Sequence, residues 1–279
     1  MTMARGNAKL IDLNGIQINV DDSGGTGPAV VMVMGTGSPG RVWHANQVPA
    51  LVRAGYRVVT FDNRGIAPTS ECVDGFSVDD MVADTAAVIE HLGVGPVAVV
   101  GTSLGGRITQ GLLLSRPDLV KAAVLMATYA RPTVMQQAIS AGERELYDKK
   151  ITLPDRYFAA ITAHLNLSPK TLADESSARD WLDIIEFSGQ ALTPGVRAQL
   201  DLHIDEPDQL ARLSGVTTPT LVIGFADDRT LPVYLAREVG AAIRGAEYRE
   251  VADAGHYGYL EQPAEVNKLL VEFLDRTVK

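Results

Sequence analysis

Cysteine is nearly absent: among 279 residues only Cys72 carries a thiol. A lone cysteine closes no internal disulfide and builds no cysteine-based metal site, so nothing points to an oxidising compartment. Long apolar runs are missing too, and none approaches the roughly 20 residues needed to span a bilayer. Met1 to Leu13 lacks the apolar stretch of a signal peptide. There is no excess of basic charge. With 25 basic and 34 acidic residues the net charge is −9, and the pI lies near 5.1. A nucleic-acid surface would be basic, and this charge disfavours attraction to anionic membranes. His/Cys/Asp/Glu ligand clusters, internal repeats and low-complexity tracts are also lacking. The expectation is a soluble, cytoplasmic protein that uses no metal and no organic cofactor, with neither nucleic acid nor membrane as partner.

What is present is an ordinary globular mixture, 46% hydrophobic and 21% charged, long enough to bury a large core. Lys9–Leu13 and Ile16–Val20 read as strands joined at Asn14-Gly15, a two-residue hairpin signal. Ala29–Met34 is a continuous apolar run of the kind expected for a strand buried on both faces. It empties into Gly35-Thr36-Gly37-Ser38-Pro39-Gly40. Gln47–Ala54 carries a short helical pattern stopped by Gly55, and Tyr56–Phe61 reads as a strand. Ser77 opens a helix, with Asp80 three residues on and Gly93 at its end. A strand over Val97–Val100 leads into another helix, and Ala122–Met126 is again a strand.

From about Ala130 to Ser214 the strands stop. Helical patterns cover Thr133–Lys150, Pro154–Leu165, Ser177–Phe187 and Pro194–His203. Strand–helix alternation resumes with Pro219–Gly224, Pro232–Ile243, Glu247–Val251 and Pro263–Thr277. Such alternation predicts a mostly parallel sheet covered on both faces. The expected organisation is an α/β core over 1–129 and 215–279, interrupted by a helical cap over 130–214.

The organising stretch is Gly101-Thr102-Ser103-Leu104-Gly105, a G-x-S-x-G motif between a strand and a helix. A serine at so tight a turn is expected to take a strained, positive-φ conformation. The flanking glycines leave room where the chain crosses itself. Ser103 then stands at a strand's carboxyl end, beside a helix N-terminus that favours negative charge. A nucleophilic serine needs a base, and the base an orienting carboxylate. His256, in the loop after the last strand, is the candidate base. Asp227 and Asp228 follow the preceding strand, and we take Asp228 as the acid, with Asp227 as the alternative. The backbone N–H groups of Leu104 and Thr36 are the candidate oxyanion donors, each worth roughly 2.7–4 kcal/mol in a transition state. Of the other histidines, His44 is expected to be structural and His91 to lie near a helix C-terminus, while His164 and His203 fall in the cap. Candidate substrate contacts are Gly35, Gly37, Trp43, Trp181, Phe187, Phe225 and Tyr257. Met135, Tyr147, Tyr157, Phe158 and Leu167 are further cap residues expected mainly to pack, and Arg131 is expected to be a surface charge.

With these residues placed, the chain resembles the α/β-hydrolase superfamily from about Lys9 to Val278. More narrowly it is similar to the cofactor-free, non-haem chloroperoxidase and bromoperoxidase branch, whose members are esterases and perhydrolases. Asp228-Arg229-Thr230-Leu231-Pro232 resembles that branch's acid loop, which singles out Asp228. Phe61-Asp62-Asn63-Arg64-Gly65 resembles its D-x-R-G turn, and the stretch from Arg41-Val42-Trp43 to Gly55-Tyr56-Arg57 its region beyond the oxyanion loop. The chain departs from the pattern at Met34-Gly35-Thr36, where many relatives have His-Gly followed by an aromatic residue, and at Thr102. Pro39 does not line up clearly with the proline associated with peroxide attack. The resemblance implies the α/β-hydrolase fold and a serine hydrolase acting on a small or medium ester or thioester. Alternatives that share the acyl-enzyme are a perhydrolase and a biosynthetic acyltransferase or cyclase, and a C–C hydrolase is a third enzyme reading. A non-catalytic ligand-binding protein is the alternative of a different class.

Overall fold

The computed structural model describes residues 8–190, 192–202 and 208–279. Its centre is an eight-stranded sheet of β1 (Lys9–Leu13), β2 (Ile16–Asp22), β3 (Ala29–Val33), β4 (Arg57–Phe61), β5 (Val97–Thr102), β6 (Val120–Met126), β7 (Thr220–Phe225) and β8 (Glu247–Val251), in the order β1-β2-β4-β3-β5-β6-β7-β8. The first two strands form the expected hairpin, turning at Asn14 (φ 48°) and Gly15 (φ 78°). Positive φ at both positions matches the right-handed strand twist. β2 also runs antiparallel to β4, and from β4 to β8 every pair is parallel.

Side-chain alternation along the central strands divides the core between two faces. Val31, Val33, Val99, Leu125 and Val222 face one way. There they meet α2 (Val78–Leu92), α3 (Leu104–Ser115) and α10 (Tyr234–Ala242) through Met81, Ile108 and Val239. Val30, Met32, Val100, Val124 and Ile223 face the other way. They pack on α1 (Gln47–Arg53) and α12 (Pro263–Thr277) through Leu51, Leu270 and Phe273. β3, β5 and β7 are buried throughout. Each buried Val or Leu contributes about 1.5–3 kcal/mol of transfer free energy. The Ser77 start of α2 is a capping box: Ser77 Oγ accepts the Asp80 N–H, and the Asp80 carboxylate accepts the Ser77 N–H.

Between β6 and β7 come α4 (Val134–Asp148), α5 (Asp155–Asn166), α6 (Pro169–Ala173), α7 (Glu175–Ser188), α8 (Pro194–Asp201) and α9 (Leu210–Leu213). α5 and α7 share a small core of Ala159, Ala163, Leu167 and Ile185, against which Trp181 and Tyr257 pack. α11 (Gly258–Glu261) precedes α12. The short helices α6, α9 and α11 add to the elements expected from periodicity. His203 lies outside the described residues. No helix among the described residues is long and apolar enough to cross a membrane.

Candidate active site

Ser103 sits between β5 and α3 with φ 55° and ψ −120°, a conformation L-residues rarely adopt. The chain around it leaves no room for side chains. A Cβ on Gly101 would lie 2.2 Å from the Gly105 carbonyl oxygen, and one on Gly105 would lie 2.2 Å from that of Val33. The Ser103 N–H donates to the Met126 carbonyl at 3.0 Å, which ties the turn to β6. Leu104 is the first residue of α3, so its N–H has no acceptor within the helix. Gly35 abuts the serine: a Cβ there would stand 3.1 Å from Ser103 Cβ and 3.6 Å from Oγ.

β5, β7 and β8 run parallel, so the loops after their carboxyl ends lie along one sheet edge. Asp228 follows β7 and His256 follows β8. Their side chains meet, with His256 Nδ1 2.7 Å from Asp228 Oδ2. A carboxylate oxygen only accepts, so Nδ1 carries the shared proton, and in the neutral ring Nε2 is then the nitrogen with the lone pair. Asp228 Oδ1 takes the Leu231 N–H at 2.7 Å, which fixes the carboxylate plane. Asp227 makes no such contact; its N–H donates to the Ala254 carbonyl.

The inserted helices grip both loops. The Tyr257 N–H donates to the Asn166 carbonyl at 3.0 Å. Thr230 Oγ1 lies 3.2 Å from Asn166 Oδ1, and the Arg229 guanidinium donates to the His164 carbonyl. Glu261 bridges the two sides, taking the Gly255 N–H at 2.6 Å and the Ser168 N–H at 2.9 Å. The loop holding Gly35, Thr36 and Gly37 is fixed in the same manner. Asn63 Nδ2 donates to the Met34 carbonyl at 2.8 Å, and Asp62 Oδ1 accepts the Gly40 N–H at 2.7 Å. Gln199, from α8, accepts the Gly37 N–H at 2.8 Å. Sequence reading missed Gln199 and Glu261: neither lies in a motif, and their partners are distant in the chain.

Three expected substrate contacts are corrected. Trp43 is fully buried in the core under the sheet, its ring 4.9 Å from that of Tyr259. Phe225 faces the same core from the end of β7, and its ring fills the space beside Gly258. Phe187 lies in the last turn of α7 and is 95% exposed, pointing into solvent. Tyr257 and Trp181 lie near His256, with the Tyr257 ring centroid 6.3 Å from that of His256 and 6.4 Å from that of Trp181. Burial pushes the Tyr257 phenol above its ordinary pKa.

The remaining candidates fall mostly outside the site. Leu167 is buried in the α5–α7 core and Phe158 packs on it, whereas Met135 and Tyr157 are exposed. Tyr147 lines a groove with Leu146, Ile151 and Leu192. Arg131 pairs with Glu238, and His44 with Thr60 and Asp21. His91 is in the last turn of α2 and His164 in that of α5. Among the described residues no group of three or more His, Cys, Asp or Glu is gathered where it could hold a metal ion.

A mostly parallel sheet flanked by helices, with a strained serine after β5 and an acid–histidine pair after β7 and β8, defines a class of protein, and the alpha/beta hydrolase fold family matches residues 28–263. The chain belongs to that family and is an enzyme of its superfamily. A Mycobacterium tuberculosis H37Rv protein provisionally named non-heme bromoperoxidase BpoC is 45% identical over 252 residues, 90% of this chain and 95% of that one. Its crystal structure matches with a TM-score of 0.89 at 41% identity, covering 99% of this chain and 100% of that one. Pyrrolizixenacetamide deacetylase of Xenorhabdus hominickii is 29% identical over 252 residues, 90% of this chain and 92% of that one.

Proposed function

We propose that the protein is a serine hydrolase that cleaves a small or medium ester or thioester through an acyl-Ser103 intermediate. The observation that carries this reading is the 2.7 Å His256–Asp228 pair, held at the sheet edge where Ser103 takes its strained turn. Ser103 Oγ attacks the acyl carbon while His256 Nε2 takes its proton, and Asp228 holds the ring and offsets the imidazolium charge. The N–H groups of Leu104 and Thr36 bind the oxyanion as it forms. His256 returns the proton to the leaving alkoxide or thiolate. Water, deprotonated by His256, then attacks the acyl-serine and releases the acid. Gly35, Gly37, Tyr257 and Trp181 border the acyl group.

The relative named as a bromoperoxidase favours a second reading of the same intermediate. Hydrogen peroxide replaces water as acceptor, releasing a peracid and regenerating the Ser103 hydroxyl. Both readings are tested together. Wild type, Ser103→Ala and His256→Ala are exposed to a fluorophosphonate probe and assayed on short- and medium-chain p-nitrophenyl esters, with and without hydrogen peroxide. The expected result is labelling and turnover by wild type, with labelling abolished in Ser103→Ala. Peroxide-dependent peracid release supports the second reading. A wild type that neither labels nor turns over any ester overturns both.

A further inference from the structure

The geometry points to Gln199 as a positioning residue through which the inserted helices hold the oxyanion loop. The inference rests on the reading of Thr36 N–H as an oxyanion donor. Gln199 lies in α8 and is wholly buried. Its Oε1 accepts the Gly37 N–H at 2.8 Å, and its Nε2 donates to the Arg64 carbonyl at 2.8 Å. One side-chain amide thus spans three segments: α8, the Gly35–Gly40 loop and the Asp62–Gly65 turn. Only a group with both a donor and an acceptor satisfies both partners. A carboxylate has no proton for the Arg64 carbonyl, and an aliphatic chain leaves both partners unpaired.

The two sides of this bridge meet with little slack. α8 crosses the turn backbone to backbone. A Cβ on Gly195 would lie 2.2 Å from the Gly65 carbonyl oxygen, and one on Gly65 would lie 2.7 Å from that of Gly195. Gly65 also has φ +95°, so glycine is required there twice over. The turn is anchored in turn by the Arg64 guanidinium, which forms a two-bond pair with Asp84 of α2 at 2.5 and 2.6 Å. Asn63 and Asp62 secure the two ends of the oxyanion loop at Met34 and Gly40, while Gln199 reaches its middle. Gly37 has φ +70°, and fixing its N–H orients the peptide plane that follows Thr36, next to the candidate donor. Seating α8 on the turn and shaping the oxyanion site are therefore one event. Oxyanion contacts form in the transition state, so loosening them lowers kcat and leaves KM.

The test compares wild type with Gln199→Met, which keeps the side chain's length and removes both hydrogen bonds. Expected are a fall in kcat on p-nitrophenyl butyrate of about tenfold or more with KM within about twofold, and faster amide hydrogen exchange across Gly35–Gly40. An unchanged kcat, a matching rise in KM, or a lower kcat without faster exchange overturns the proposal. Should wild type turn over no ester, the hydrolase reading fails, and exchange alone decides the clamp: faster in the variant supports it, unchanged refutes it. Should the variant not fold, the wild-type Gly37 amide decides. Slow exchange supports the bridge, and exchange at the free-loop rate overturns it.

Discussion

Both oxygens of Asp228 are engaged, Oδ1 by the Leu231 N–H and Oδ2 by His256 Nδ1, and that double engagement makes an amide replacement informative. In Asp228→Asn the carbonyl oxygen retains the Leu231 N–H, so the amide nitrogen faces the imidazole. Nδ1 must then accept, its proton moves to Nε2, and Nε2 loses the lone pair that the proposed mechanism needs for the serine proton. We expect kcat to fall by roughly 10⁴ with the melting temperature nearly unchanged. Asp227→Asn should stay within about twofold of wild type. Steady-state kinetics on one p-nitrophenyl ester checks both. The order Ser103, Asp228, His256 could be read from the chain because loop position after a parallel strand fixes which edge a residue occupies. Side-chain direction could not. Trp43 follows the Gly35–Gly40 loop and Phe225 precedes Asp228 by three residues, yet both turn into the core, and Phe187 turns out to solvent.

Elements whose signals are local were legible. The capping box at Ser77 and the glycines around Ser103 concern residues three or four apart, and the structure builds them as the spacing demands. α6, α9 and α11 have five, four and four residues, too few to display a helical period. The docking of α2 was hidden for another reason. Beside its apolar contacts it includes Asp84, a charged residue on its buried face, meeting Arg64 from the turn after β4. The pair is almost fully buried, with side chains 9% and 2% exposed, and Asn14 Nδ2 donates to the same carboxylate at 2.8 Å. Removing the acid strands a buried guanidinium. Asp84→Ala is therefore expected to cost about 3–5 kcal/mol of unfolding free energy, read from urea denaturation.

At the scale of the whole molecule, strand–helix alternation announced the parallel sheet, while the seating of the inserted helices lay in contacts between residues far apart in sequence, such as Gly65 with Gly195. A further global property follows from where the charges sit. Hydrogen bonding by Arg57 holds the Asp22 carboxyl below its ordinary pKa, the Ser77 cap does so for Asp80, and Lys279 with Tyr56 does so for Asp275. A carboxyl lowered by folding stabilises the native state above its unfolded pKa of about 4. That contribution disappears as pH falls from there through the lower folded value. At the alkaline end, burial and the bond to Glu250 push the Tyr248 phenol up to about 12. A raised group works in the opposite sense: its contribution is complete below the unfolded value of about 10 and is lost as pH climbs through the folded one. Unfolding free energy should therefore be flat between these limits as far as these groups are concerned, fall below about pH 4 and fall again above about pH 10. Chemical denaturation across pH 2 to 12 measures it. Asp22→Asn should lower the plateau and make the acid limb shallower, and Tyr248→Phe should do the same to the alkaline limb. A variant whose limb keeps the wild-type slope removes that residue from the account.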